Sequence, residues 1–224
     1  RYPVNVRGLS SGVTGIAAGM SHTCATMTTG AIKCWGRNEF GELGNGTMTN
    51  NPVPSDVIGL AGPAGAVAIG DYHTCALLAG GGVQCWGTNA SSQLGIPASF
   101  GSPVPVSIGG LPAEITAIAS GGAHNCALTA AGAMKCWGAN GSGELGNGDD
   151  HSRHPVPVDV VGLSGGVEAM STGQVHTCAT TTAGSVKCWG QNYHGELGNN
   201  TTTGSLVPVD VTMPAPPELS INHV

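Results

Sequence analysis

A fourfold internal repeat constrains this chain more than any other feature. The triplet Cys-Trp-Gly recurs at steps of 51, 51 and 52 residues, followed each time by Gly-Glu-Leu-Gly or, once, by Ser92-Gln93-Leu94-Gly95. A segment close to Pro-Val-x-Val separates the units and occurs five times for four cores. Self-similarity at a fixed period is the signature of a repeat architecture. The sequence therefore predicts four copies of one structural unit.

Each unit predicts about four short β-strands. Short apolar runs with strand periodicity, such as 13–18 and 67–69, precede a Cys-Ala segment and then a Val-x-Cys-Trp segment. A glycine lies midway between the two cysteines of every unit, at Gly30, Gly81, Gly132 and Gly184. A three-residue hairpin loop closed by a left-handed glycine fits all four positions. Such a hairpin places the two cysteines of a unit opposite each other on adjacent strands.

The eight cysteines are predicted to form one disulfide within each hairpin. The predicted bridges are Cys24–Cys34, Cys75–Cys85, Cys126–Cys136 and Cys178–Cys188. Zinc binding by each pair with a nearby histidine is the alternative, but cysteines of zinc sites are usually only about two to four residues apart. Four even pairs with no cysteine left over favour disulfides and an oxidising compartment.

Composition excludes several classes of protein. Charged residues are 9 % of the chain, too few for the solvent-facing sides of long helices, so an all-helical fold is nearly excluded. The net charge of −6 and the absence of a basic run argue against a nucleic-acid partner. No apolar run approaches the roughly 20 residues of a membrane span, so we expect a soluble chain without membrane insertion. No nucleophile elbow, phosphate-binding loop or metalloprotease motif occurs, so no catalytic residue is assigned.

The combined motifs resemble a known family. Gly-x-x-His-Thr-Cys-Ala, then Gly-x-Val-x-Cys-Trp-Gly-x-Asn-x-x-Gly-Glu-Leu-Gly, then Pro-Val-x-Val, resemble the regulator of chromosome condensation repeat from Pro3 to about Val211. The resemblance implies an all-β fold, namely a β-propeller or partial propeller of four four-stranded antiparallel blades, each with its intra-hairpin disulfide. Paired cysteines in each blade resemble secreted bacterial members. The repeat motif itself implies scaffold, so no nucleotide-exchange residue is carried over.

The number of blades departs from the family, whose best-known member has seven. Four repeats leave open a compact four-bladed ring, a segment of a longer propeller, and an arc completed by another molecule. We predict one repeat domain over residues 1–212, with blade cores 13–51, 64–102, 115–154 and 167–206, and a Pro-rich tail or linker over 213–224. Because five Pro-Val segments serve four units, either residues 3–6 or 207–211 are a spare strand available outside the domain.

Several side chains recur at one repeat position and are expected to be structural. His22, His73, His124 and His176 either bond backbone within their own blades, as the family motif implies, or form a ring able to hold a metal. We favour the first, and assign no metal site. Burial in the core is expected for Trp35, Trp86, Trp137 and Trp189. Turn-stabilising acceptors, rather than catalytic acids, are expected at Glu42, Gln93, Glu144 and Glu196.

Residues that differ between repeats are better candidates for function, because scaffold duties do not explain them. They comprise the aromatics outside the tryptophan set and the charged stretch 149–154. Interface energy concentrates in aromatic side chains. The predicted partner contacts are Phe40, Tyr72, Phe100, Asp149, Asp150, His151 and Tyr193.

Together these features predict a secreted, extracellular or cell-surface module for protein–protein interaction. We expect it not to be an enzyme, to need no cofactor, and to bind a protein partner or itself. The alternative is a structural subunit that self-assembles into an extracellular polymer through its blade edges or its spare strand. A propeller-based enzyme or metal-binding protein is the third and least supported class.

Overall fold

The computed structural model describes residues 2, 4–97, 100–150 and 152–212. That part of the chain is all-β and contains no helix that could cross a membrane. In chain order its strands are β1 Val13–Ala18, β2 His22–Met27, β3 Ile32–Gly36, β4 Asn51–Asp56, β5 Ala64–Ile69, β6 His73–Leu78, β7 Val83–Thr88, β8 Gly101–Ser107, β9 Ile115–Ser120, β10 His124–Thr129, β11 Met134–Ala139, β12 Arg153–Asp159, β13 Val167–Thr172, β14 His176–Thr181, β15 Val186–Gly190 and β16 Ser205–Asp210.

Every four consecutive strands form one antiparallel sheet, in the order of the sequence. We call these sheets blades 1 to 4: β1–β4, β5–β8, β9–β12 and β13–β16. The first strand of each later blade packs against the first and second strands of the blade before it. The first strands therefore lie nearest a common axis, with the fourth strands outermost. This arrangement confirms the predicted fold class of four propeller blades.

The hairpin between the second and third strands forms as the sequence predicts. Cys24 lies directly opposite Cys34, and the same pairing occurs in the other three blades. Gly30 closes the loop with a φ of 79°, in the left-handed region that favours glycine. All four predicted disulfides are present, each with its Cα atoms 4.1 Å apart.

The hydrophobic core lies between the blades. Three clusters of buried side chains each combine residues of two consecutive blades. The first packs Ile32 and Leu43 of blade 1 against Ile69 and Trp86 of blade 2. A single four-stranded sheet cannot bury its own faces, so each blade depends on its neighbour for stability. We call each of these contacts a joint.

The described residues form three joints, and no such cluster connects blade 4 to blade 1. The four blades are therefore an open arc rather than a compact ring. The arc also explains an exception among the repeat tryptophans. Trp86, Trp137 and Trp189 are fully buried as predicted, whereas Trp35 is only half-buried because no blade in the described part of the chain covers that face of blade 1.

The structure also distinguishes the two terminal Pro-Val segments. Residues 207–210 lie in β16, which pairs with β15 as the fourth strand of blade 4. Val4, Asn5 and Val6 belong to no strand, so the spare copy is the N-terminal one. The boundary at residue 212 stays a prediction, and the proposed tail 213–224 lies outside the described residues.

Candidate protein-binding face

Two sets of loops meet at one end of every blade. His22 at the start of β2 pairs with Gly36 at the end of β3, so the loop before β2 and the loop after β3 leave the sheet at the same edge. The same register recurs in the other blades. We call this edge the loop face; it comprises the described residues of 19–21, 37–50, 70–72, 89–100, 121–123, 140–152, 173–175 and 191–204. Six of the seven predicted partner contacts belong to these loops, and the seventh, His151, lies outside the described residues.

One buried asparagine organises each long loop. The side-chain oxygen of Asn38 accepts the N–H of Leu43 at 2.9 Å, and Asn38 Nδ2 donates to the carbonyl oxygens of Thr47 and Thr49 at 2.9 and 3.1 Å. The equivalent leucine N–H is bound in the same way by Asn89, Asn140 and Asn192. Our sequence reasoning missed this role, although the Trp-Gly-x-Asn spacing in every repeat carries the signal.

The acidic repeat position stabilises turns, as predicted. Glu42 Oε2 accepts the backbone N–H of Phe40 at 2.8 Å. The same two-residue turn forms at Gln93, Glu144 and Glu196. The backbone N–H groups of Glu196 itself and of His194 hold the pKa of the Glu196 carboxyl below its ordinary value. Each of these side chains is therefore engaged by its own loop.

Hydrogen bonds cross every joint at equivalent positions. Trp86 Nε1 and Thr74 Oγ1 of blade 2 both donate to the carbonyl oxygen of Glu42 in blade 1, at 2.8 and 2.9 Å. Because the Thr74 hydroxyl proton is used in this way, His22 Nε2 of blade 1 donates to Thr74 Oγ1, at 2.8 Å. Equivalent bonds cross the second and third joints. The loop face is thus built on a fixed scaffold of linked blades.

The prediction that each repeat histidine bonds backbone within its own blade is wrong. His22, His73 and His124 bond side chains of the next blade instead, because their rings are buried in a joint where the neighbouring sheet offers the partner. Burial lowers the pKa of His22 and of His73 to about 4, and that of His124 to about 3. The rings are therefore neutral at neutral pH. No cluster of potential metal ligands is found among the described residues.

One cluster on the loop face is not explained by the repeat. The Arg37 guanidinium lies over the rings of Phe40 and Tyr72, 4.8 Å from the Tyr72 centroid and 5.3 Å from that of Phe40. The two rings meet edge to face, with centroids 5.6 Å apart. Phe40 nevertheless remains 41 % exposed. We call Arg37, Phe40 and Tyr72 the Arg37 cluster; it joins two predicted contacts, and Arg37 is a member that sequence reasoning missed.

Two open clefts adjoin this cluster. The Arg37 cluster lines a cleft of about 440 Å³ together with Ser91 of blade 2 and Gly122 of blade 3. A second cleft of about 400 Å³ lies at the axis, where loops of all four blades meet. There the Asp71 N–H donates to the Gly122 carbonyl at 3.1 Å, and the Gly122 N–H donates to the Gln174 carbonyl at 3.0 Å. Asp71 lines both clefts, which makes them neighbours on one face.

The remaining aromatic candidates project from the same face. Phe100 is fully exposed and Tyr193 is 73 % exposed. Neither ring packs against another aromatic ring within the described part of the chain. These side chains are therefore accessible, but they lie apart from the Arg37 cluster.

The charged stretch is partly an ordered loop. Asp149 Oδ2 accepts a hydrogen bond from Asn147 Nδ2 at 2.7 Å, and Asp149 Oδ1 lies 3.1 Å from His154 Nε2. Asp150 is exposed, whereas His151 lies outside the described residues. Asp149 thus has a structural role that its sequence position did not reveal.

Comparison with known proteins identifies the repeat. Two family profiles, each described as the regulator of chromosome condensation (RCC1) repeat, match this chain: one at residues 30–77, 80–128 and 132–180, the other at 13–42, 66–93, 115–144 and 167–196. The human E3 ubiquitin-protein ligase HERC2 is 37 % identical over 199 residues, which are 86 % of this chain and 4 % of that protein. The ultraviolet-B receptor UVR8 of Arabidopsis thaliana is 31 % identical over 202 residues, 89 % of this chain and 46 % of that protein. The chain spans less than half of either relative.

Solved structures share the arrangement of the blades. Human WBSCR16 superposes with a TM-score of 0.85 and 25 % identity, over 94 % of this chain and 56 % of that one. Yeast RCC1 (Prp20), solved in complex with Kap60, superposes with a TM-score of 0.83 and 21 % identity, over 93 % of this chain and 50 % of that one. The four blades thus correspond to about half of each of these folds. With the profile matches spanning all four blades, the chain belongs to the regulator of chromosome condensation repeat family.

Proposed function

We propose that this chain is an extracellular, non-catalytic protein-binding module whose loop face contacts the partner. The observation that carries the proposal is the Arg37 cluster. Arginine, tyrosine and other aromatic side chains dominate the binding energy of protein interfaces. Phe40 is replaced by Ser91, Ser142 and His194 at the equivalent positions of the other blades, so the fold itself does not require an aromatic ring there.

The relatives and the chemistry of the chain support this class of function. Yeast RCC1 was solved bound to Kap60, and a second Prp20p structure from Saccharomyces cerevisiae is described with binding to Gsp1p and histones. The ligase named in HERC2 does not transfer, because this chain spans 4 % of that protein. A net charge of −6 favours a protein over a nucleic acid as partner. One disulfide in every blade favours an oxidising compartment.

A peptide library tests where the chain binds. The purified, oxidised chain is panned against random peptides displayed on phage, and the affinities of the selected peptides are measured by fluorescence polarisation. Phe40→Ala and Tyr72→Ala should each weaken binding by about tenfold or more, the loss expected for an interface hot spot. The control is Val156→Ala, at a side chain that is 54 % exposed on outer strand β12. Peptides whose affinity falls for Val156→Ala but not for Phe40→Ala or Tyr72→Ala would place the binding surface elsewhere.

The proposed extracellular location is tested separately, by antibody labelling. An antibody against the chain should label intact producing cells or detect the chain in their medium. Labelling that requires permeabilised cells would contradict an extracellular role.

A further inference from the structure

Each end of the arc exposes one half of a joint. We call the face of a blade that packs against the preceding blade its leading face, and the face that packs against the following blade its trailing face. On the leading face of blade 1, Trp35 Nε1 and Thr23 Oγ1 make no hydrogen bond to another described residue, although their counterparts in blades 2 to 4 donate across a joint. On the trailing face of blade 4, the His176 ring and the Glu196 carbonyl find among the described residues none of the cross-joint partners that their counterparts have. The hydrogen-bond partners that each of these two faces lacks are present on the other face.

The apolar surface of the leading face shows the same pattern. Val13 is 41 % exposed, whereas its counterparts in the other blades, Ala64, Ile115 and Val167, are 5–7 % exposed. Ile16 is 68 % exposed. Its counterparts Val67, Ile118 and Met170 each pack against the core cluster shared with the preceding blade. The leading face therefore presents side chains that are shaped for a joint and that no blade among the described residues covers.

The trailing face offers the matching groove. Cys178, Thr180 and Val186 line an open, mostly apolar groove of about 150 Å³ on blade 4. Val186 is partly exposed there, while its counterparts in the first three blades are buried at the joints, namely Ile32, Val83 and Met134. In each internal joint the first strand of the following blade packs against the first and second strands of the preceding blade, and its residues share a core cluster with the counterpart of Val186.

We propose that a second copy of this chain packs the leading face of its blade 1 against the trailing face of blade 4. Trp35 and Thr23 of one copy then donate to the Glu196 carbonyl of the other, whose His176 donates to Thr23. The chain itself contains three examples of this contact, and every copy carries both halves. The contact is heterologous, so it continues until the copies close into a ring or extend as a filament.

The N-terminal Pro-Val segment makes a separate prediction. Its counterparts are the outermost strands of the blades, and in the neighbouring copy that position is already occupied by β16. Val4–Val6 are therefore dispensable for the contact. Deletion of residues 1–8 should leave assembly intact, whereas assembly by strand exchange would be lost with that segment.

Sedimentation velocity on the oxidised chain measures the contact. We expect species of at least twice the 22.1 kDa chain mass. Ile16→Asp on the leading face and Thr180→Asp on the trailing face should each give monomers, because each places a charge where the joint excludes water. The matched control Val156→Asp introduces the same charge at an exposed outer-strand side chain and should assemble like the wild type.

Mixing the two monomeric variants distinguishes this contact, in which unlike faces meet, from a contact in which the same face of both copies meets. Ile16→Asp keeps an intact trailing face and Thr180→Asp keeps an intact leading face, so the mixture should form a pair of chains and nothing larger. Circular dichroism and intact mass confirm that both variants are folded and oxidised. Assembly should also reduce acrylamide quenching of tryptophan fluorescence, because Trp35 is half-buried whereas the other three repeat tryptophans are fully buried.

Five outcomes would overturn the proposal. Four are a monomeric wild type at its highest soluble concentration, assembly of Ile16→Asp like the wild type, a mixture that stays monomeric, and loss of assembly on deletion of residues 1–8. The fifth is loss of assembly in Val156→Asp, which would assign the contact to the outer blade edge instead. None of the substituted or deleted residues belongs to the Arg37 cluster, so these measurements are independent of the test of protein binding.

Discussion

Replacement of Trp137 and of Trp35 by alanine compares one repeat position in two environments. Trp137 lies in the second joint, fully buried, and its Nε1 donates to the Gln93 carbonyl at 3.0 Å. Trp35 lies half-buried on the leading face of blade 1 and makes no such hydrogen bond to a described residue. The two side chains share their strand position and local sequence, so the difference between the variants reports the joint.

The structure sets the expected loss in the free energy of unfolding for each variant. Truncation of a fully buried tryptophan to alanine costs about 3–5 kcal/mol, from lost burial and the cavity that remains. The Gln93 carbonyl keeps a second donor, Asn125 Nδ2 at 2.8 Å, so Trp137→Ala adds no unsatisfied acceptor. Trp35→Ala should cost about 1–2 kcal/mol, because folding buries less apolar area at Trp35 than at Trp137. Trp137→Phe keeps most of the buried ring and should lose about 1 kcal/mol for the hydrogen bond.

Urea unfolding of the oxidised chain measures these values. The three substitutions are made in the Ile16→Asp background, which keeps Trp35 out of any contact between copies. For a slope of about 2 kcal/mol per molar urea, Trp137→Ala should lower the midpoint by about 2 M and Trp35→Ala by less than about 1 M. Coincident transitions by circular dichroism and fluorescence establish that unfolding is two-state. Equal losses in the two alanine variants would refute the argument that the joint, rather than the blade, buries the ring.

The disulfides, the buried histidines and a close-packed glycine make three further predictions. Intact mass without reductant should lie eight hydrogens below that of the reduced chain; thiols that alkylate without reductant would contradict the four disulfides. Stability should fall as pH drops from 6.5 to about 4, because unfolded imidazoles bind protons in that range while His22 and His73 stay neutral. The loss is on the order of 3 kcal/mol per ring, and a pH-independent melting temperature would contradict it. Gly44→Ala should destabilise far more than Gly8→Ala, because both have positive φ but only at Gly44 would a Cβ lie 2.7 Å from Trp86 Nε1; equal losses in thermal melts would contradict this packing.

Interactions close in sequence were determined by the sequence alone. Residue spacing correctly predicted the hairpin at Gly30, the disulfide between Cys24 and Cys34, and the turn in which Glu42 binds a backbone N–H. Each involves residues no more than about ten positions apart, where the turn type fixes which groups meet. The fourfold period then predicted the number of blades and, with the family motif, the fold class.

Contacts between blades were decided only by the tertiary structure. His22 reaches Thr74, 52 residues away, although its own blade was the predicted partner. Arg37 and Phe40 meet Tyr72 across a boundary between sheets. The same repeat position is half-buried at Trp35 and fully buried at Trp137. The physical reason is that the relative placement of two sheets follows from how their side chains pack, so residue spacing within one repeat contains no information about which face the next sheet covers.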